Sequence, residues 1–384
     1  MQLDDKERPE TIGARYGMAF WAQLVVFCFF VIAGLVYAAN LLIPLSLALL
    51  LAVLISAIVD RARQGTVFGN PTPEWLAYVL AFGVVSFGFA GILYVLSNQA
   101  GAVAEAFPRY EARFELLLKR FEGLIGEEGY ATLLTALADL NLSEMAGGAI
   151  SSAGSVLSGI ILVLLLVPFM LLERNPMNVK LDRAVPNAEA RAKVSQILNG
   201  MSISLQRYVG IKTLVSLITG IGSYAVMKPV GLDFAETWGI LAFALNFIPT
   251  IGSILGVVLP GLVALVQFDT FTPFLIIVGG CGAVQFVIGN IVEPSLTGRS
   301  LNLSPLVVVL SLSFWTIIWG MSGALLSVPI TVCGLIIISH FPATRPLAVL
   351  MSGDGTLMTE TREEALAPVG KPLNKSAEPT EQEG

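Results

Sequence analysis

Glu293 is the residue whose type and setting most suggest chemistry: a carboxylate inside the apolar stretch QFVIGNIVEPSLTGRSLNLSPLVVVLSLSFWTIIWGMSGALLSVP, from Gln285 to Pro329. In hydrocarbon a carboxylate must hold a proton, coordinate a cation or meet a cationic side chain, and such groups mark ion or solute paths by default. Asn290, Pro294, Gly298, Arg299 and Pro305 interrupt the same stretch. Each leaves a polar or backbone group that needs a protein or water partner, which points to a path through the membrane rather than to an anchor. At about 100° per residue, Gly282, Gln285, Gly289 and Glu293 share a helix face, with Asn290 about 60° from Glu293. A purely structural role for Glu293 is equally open, as a helix-end acid paired with Arg299 or capping a hairpin.

A second polar face complements the first. Tyr208, Lys212, Ser216, Thr219 and Ser223 are spaced by three or four residues and fall in one narrow sector of a helix. Asn246 precedes the break Phe247-Ile248-Pro249, where a buried amide can satisfy unwound backbone or bind a solute. Plainer readings stand beside these: Lys212 snorkelling to an interface, and the glycines as helix-packing positions. Enzyme chemistry has no comparable constellation. The sequence has no Gly-rich phosphate loop with Lys, no pair of metal-ligating histidines, since His340 is the only one, and no nucleophile elbow in a convincing context. Cys28, Cys281 and Cys333 each sit in apolar runs and read as small core residues. The expectation is a protein without catalytic residues, metal or cofactor, whose transport would draw on gradients or a separate partner.

The elements that position these groups follow from composition. Apolar residues make up 55% of the 384 and charged residues 13%, more apolar surface than a soluble core can use. The fold class is all-α, a polytopic membrane protein of about eight membrane helices. The net charge of -6 carries no basic footprint, so nucleic acid is not an expected partner. Residues 1–17 read as a cytoplasmic tail, 18–97 as three transmembrane helices, 98–147 as an extracytoplasmic amphipathic segment, 148–172 as a fourth span, 173–208 as a cytoplasmic amphipathic segment, 209–350 as the transport core and 351–384 as a disordered cytoplasmic tail. Met18 to Val36 is long for a signal core and reads as a retained span. Lys6, Arg8 and Arg15 before the first span and Arg61 and Arg63 after the second place the amino terminus in the cytoplasm, six basic against three acidic residues put 173–208 inside, and hairpins at 237–267 and 304–340 leave Arg345 and the carboxyl terminus inside as well. The outer segment has four basic residues, Arg109, Arg113, Lys119 and Arg120, against eight acidic ones. Phe107, Tyr110, Phe114, Leu117, Leu118 and Phe121, then Tyr130, Leu133, Leu134 and Leu137, predict two amphipathic helices there. Asn187 predicts a helix start after Pro186, leading along the inner surface into the fifth span.

Two apolar runs, 237–267 and 304–340, are too long for one straight span and carry Pro249, Gly252, Gly256 and Pro260, then Gly320, Gly323 and Pro329. Read as hairpins, they give two units of opposite orientation, each a single span (209–228, 272–293) followed by a broken hairpin. Inverted repeats with broken helices near the midplane are a recurrent transporter plan; two kinked long spans are the alternative.

The stretches VPNAEARAKVSQILNGMSISLQRYVG, LNFIPTIGSILGVVLP and NIVEPSLTGRSLNLSPLVVVLSLSFWTIIWGMSGALLSVP resemble the autoinducer-2 exporter family of bacterial, permease-like membrane proteins, with the resemblance running from about residue 18 to 350. It implies about eight membrane helices, an inner-membrane location and a homo-oligomer, a pentamer being one form. It further implies export of a small polar signal molecule, autoinducer-2, with sodium or proton antiport assigned to other members. The family's Phe-Ile-Pro break falls on Phe247, Ile248 and Pro249, and its Glu-Pro and Gly-Arg elements on Glu293, Pro294, Gly298 and Arg299. Thr250, Ser253, Asn302 and Ser304 depart from the family's usual residues. A membrane scaffold that recruits partners without transporting is the third reading.

Overall fold

The computed structural model describes residues 23, 25–63, 66–67, 70–71, 73–139, 142–297 and 302–357; Gly298, Arg299, the first tail and most of the last one lie outside them. The chain is an all-α membrane protein. Among the described residues, five helices are long and apolar enough to cross a bilayer and three apolar helices are shorter. In order they are α1 (Val25–Tyr37), α2 (Ala39–Arg63), α3 (Glu74–Asp139), α4 (Leu142–Ala184), α5 (Ala188–Val230), α6 (Ala235–Leu245), α7 (Ile251–Gln267), α8 (Thr272–Val287), a π-helical turn (Ile288–Val292), α9 (Glu293–Thr297), α10 (Pro305–Ser339) and α11 (Arg345–Met351). Two-residue strands, Thr66–Val67 and Asn70–Pro71, pair antiparallel between α2 and α3.

The first bundle packs on small residues. Ala48, Ala52, Ile55 and Val59 recur at helical spacing on α2 and meet Ala77 and Ala81 of α3 and Val163 and Val167 of α4. Alanine at these positions lets backbones approach closely where lipid offers no hydrophobic drive for association.

Helix continuity corrects one sequence expectation. The two stripes within 98–147 lie on one helix: α3 continues through Pro108 to Asp139, 66 residues in all, or about 100 Å at about 1.5 Å per residue. The glycines between the stripes cost only about 1 kcal/mol each, too little to end a helix rich in good formers. α4 runs to Ala184, and α5 starts where expected, with Asn187 accepting from Glu189 N (2.9 Å) and Ala190 N (3.2 Å), and passes unbroken into the span at 209–228.

Both long runs fold back as hairpins. α6 and α7 have 11 and 17 residues, about 16 and 25 Å, each too short for about 30 Å of hydrocarbon. Their turn runs through Asn246–Thr250, with Ile248 N donating to Leu245 O (2.8 Å) and Thr250 at φ 61°. A Cβ at Gly252 would collide with the Leu245 carbonyl, so only glycine lets α7 leave the end of α6 this closely. In α10, Ser311 Oγ donates to Ser327 O (3.1 Å) and touches the Thr331 hydroxyl. Sixteen residues of straight helix would separate such groups by about 24 Å. The chain therefore reverses between them, at Gly320 (φ 59°, ψ -140°), a conformation nearly confined to glycine. The alternative of two kinked spans fails on these contacts.

Pro249, Gly252 and Gly320 thus sit at true breaks, Gly323 beside one, and Pro294 and Pro305 at helix starts. Gly256, Pro260 and Pro329 do not break their helices; they are buried in the interiors of α7 and α10, Gly256 and Pro260 against neighbouring helices and Pro329 within the second hairpin.

α5 and α8 run antiparallel: Lys212 faces Glu293, Gly222 faces Val284 and Val226 faces Gly280, one number rising as the other falls. A hairpin follows each, so the two units have opposite orientation. The hairpin tips meet in one apolar cluster, Leu245 and Ile248 from the first and Leu312 and Ala324 from the second.

The tail is also corrected. Residues 351–357 are folded, not disordered: Asn302 Nδ2 donates to Asp354 Oδ1 (2.6 Å) and Thr356 O (2.8 Å), and Leu357 is buried with Leu335 and Ala348. Leu357 supplies the apolar anchor that the surrounding polar composition conceals.

Candidate functional site

Lys212 and Glu293 form the charged end of the site. Lys212 Nζ donates to Glu293 Oε1 at 2.6 Å, with the lysine side chain 7% exposed and the glutamate 30%. Lys212 therefore does not snorkel; its ammonium is buried and held by a carboxylate 81 positions away.

Glu293 reaches Lys212 through the π turn. Pro294 has no N–H, and in a regular helix its ring would strike the carbonyl of Asn290, four residues earlier. Widening the turn removes the conflict: Glu293 N donates to Ile288 O, five residues back. The extra residue shifts the helical phase, so the buried face runs Ile277, Cys281, Gln285, Ile288 and on to Glu293, while Gly289 and Asn290 point outward. Asn290 is exposed and donates to Phe286 O (3.0 Å) on its own helix, which removes it from the face where regular spacing had put it.

The uncharged part of the site lies deeper. Ser216, Thr219 and Ser223 on α5 are fully buried. Asn246, at the end of α6, donates to Ser216 Oγ (3.0 Å), tying the first hairpin's turn to α5. Thr219 Oγ1 is turned back to Val215 O (2.9 Å). Gln285 is buried on α8 against Gly256 of α7. Lys212, Ser216, Thr219, Asn246, Gln285 and Glu293 are thus brought into one seam between α5, α8 and the first hairpin. Asn290 is not, and Arg299 lies outside the described residues.

A second polar cluster escaped the sequence reading. Arg109 donates to Asp233 (2.5 Å), Tyr110 to the same carboxylate (2.7 Å), and Arg113 to Gln267 O (2.5 Å) and Asp269 (3.3 Å). Gln99 contacts Glu236 (3.2 Å) and Thr237. The arm of α3 thereby holds both open ends of the α6–α7 hairpin. Burial, with the hydrogen bond to Asp233, pushes the Tyr110 phenol up to about 12. Arg109 and Arg113 were the available signal, since they strain the charge rule for an outer segment and here have acidic and carbonyl partners.

Among the described residues no group of His, Cys, Asp and Glu could hold a metal ion. The seam offers hydroxyls, amides and one neutralised ion pair, a lining suited to hydrogen-bonding a polar solute. The AI-2E family transporter profile matches residues 24–343. The AI-2 transport protein TqsA of Escherichia coli strain K12 is 31% identical over 327 residues, 84% of this chain and 92% of that protein. A Haemophilus influenzae protein, whose name gives a transport role and no cargo, is 30% identical over 335 residues, again 84% and 92% of the two chains. A membrane-embedded polar seam beneath two facing hairpins and a match over most of the length have one consequence: this chain belongs to the AI-2E transporter family.

Proposed function

We propose that the chain exports a small polar organic solute across the bacterial inner membrane, with autoinducer-2 as leading cargo, and that the solute passes along the seam between α5, α8 and the hairpin tips. The observation that carries this reading is the buried Lys212–Glu293 pair continuing into hydroxyl and amide groups, a costly arrangement in hydrocarbon that a mere anchor does not need. Facing hairpins of opposite orientation support it, because such breaks put backbone and side-chain polarity near the midplane. The similarity to TqsA supports the choice of cargo. Both termini are cytoplasmic in this proposal, and the exposed aromatic face of α1 (Phe27, Phe29, Phe30) meets lipid or another copy in a homo-oligomer.

Flux of autoinducer-2 into proteoliposomes, with the wild type, a folded Glu293→Gln variant and empty vesicles, tests it. Protein-dependent flux that falls at least tenfold in the variant is expected; unchanged flux in the variant would refute a path past Glu293. A sodium or proton antiporter is the second reading, favoured by the 30% exposure of the Glu293 side chain, which leaves its carboxylate within reach of an ion. Ion-dependent pH changes in the same vesicles without solute flux would select it. For a non-transporting scaffold, the Glu293 variant would keep the cellular phenotype and deletion of the tail would abolish it.

A further inference from the structure

Most polar groups in the seam are already engaged: Lys212 with Glu293, Asn246 with Ser216, Thr219 with its own helix. Two are not. Among the described residues, the Gln285 amide nitrogen and the Ser223 hydroxyl are buried without a hydrogen-bond partner, in residues 7% and 0% exposed. They belong to neighbouring levels of one interface, since Ser223 O faces Cys281 Sγ (4.0 Å), one helical turn before Gln285 on α8.

The Gln285 amide packs directly on the backbone of Gly256. A Cβ at Gly256 would stand 2.9 Å from Gln285 Nε2 and 4.0 Å from the Ala242 methyl. Glycine on α7 and alanine on α6 therefore keep the amide clear of side chains. A buried donor without an acceptor destabilises a fold, and a leucine would fill the same volume without that penalty. An amide kept under these conditions has an acceptor at some stage of the protein's work.

Building on the transport reading above, we infer that Gln285 and Ser223 are the solute's hydrogen-bonding contacts. The Gln285 N–H₂ donates to a hydroxyl or carbonyl oxygen, and the Ser223 hydroxyl gives or accepts a second bond. The solute is uncharged, because the formal charges in the seam, Lys212 and Glu293, neutralise each other. Gly256 is the specificity position: any side chain there presses on the amide.

The test measures the concentration dependence of autoinducer-2 flux in proteoliposomes, and thermal unfolding in detergent, for the wild type, Gln285→Leu, Ser223→Ala and Gly256→Ala. Gln285→Leu should unfold at the same temperature or higher while raising the half-saturating concentration roughly tenfold, the effect of one lost hydrogen bond to solute. Gly256→Ala should raise it similarly, and Ser223→Ala by a smaller factor. Lower thermal stability in Gln285→Leu would overturn the inference, since the amide would then be holding the fold. Unchanged half-saturation in all three would also overturn it, leaving the amide a bound water only. Absence of flux in the wild type would instead overturn the cargo assignment, and this contact with it.

Discussion

The ion pair has two unequal halves, and the inequality makes a prediction. Glu293→Gln strands a nearly fully buried ammonium, whereas Lys212→Met leaves a carboxylate that is only partly enclosed by protein. Breaking a buried pair costs roughly 3–5 kcal/mol when the remaining charge is uncompensated. Glu293→Gln should therefore fall near 3 kcal/mol of lost stability, Lys212→Met clearly below it, and the double variant below Glu293→Gln alone; equal single effects in denaturant titrations would contradict this. Pro294→Ala removes the reason for the π turn and should let the helix regularise, turning Glu293 from Lys212 and giving a functional loss like that of Glu293→Gln. Glu293 was legible from its type and apolar context. Its partner was not, because regular helical phase, extrapolated through the π turn, put Asn290 nearby and said nothing of a lysine 81 residues away. Gln285 was legible for the opposite reason, lying before the π turn where the phase still holds.

At the level of elements, the hairpins rest on backbone conformations that side chains forbid. Gly252→Ala forces a methyl into the Leu245 carbonyl, and Gly320→Ala imposes a conformation that costs roughly 1–3 kcal/mol. The collision involves two backbones in contact and neither can retreat, so Gly252→Ala should be the more damaging. Gly231 ends α5 in the left-handed region with open space around it, and Gly231→Ala should cost only about 1 kcal/mol. Relative yields of folded protein and unfolding temperatures check that order. Apolar runs too long for one span announced both hairpins. Which glycine turns and which packs was hidden: Gly320 and Gly323 lie three residues apart, and it is the backbone that puts the reversal at Gly320 and packs Gly323 against the Trp315 carbonyl. Helix lengths were read too short for a related reason, since an amphipathic stripe can change without the helix ending.

In the whole molecule, the helices from α5 to α11 are held at two ends. On one side the α3 arm grips the first hairpin. The Tyr110 phenol, near 12 in the folded protein and near 10 when unfolded, stabilises the neutral form in place. That stability is complete below about pH 10 and is lost as pH rises towards 12, so alkaline unfolding should steepen over this window and Tyr110→Phe should remove the effect. On the other side, Asn302 and Leu357 fasten the chain after α11; a chain ended after Ser352 should unfold at a lower temperature than one ended after Leu357. Membrane class and family were plain from composition and motifs, while Arg109–Asp233 and Asn302–Asp354 join residues more than 50 positions apart that no local pattern links. The central claim is that the seam opens for the solute. Ser216→Cys with Asn246→Cys, whose native side chains touch at 3.0 Å, places a reversible bond across it. Autoinducer-2 flux should stop when the two cysteines are oxidised and return on reduction; undiminished flux through fully cross-linked protein would contradict a seam that opens.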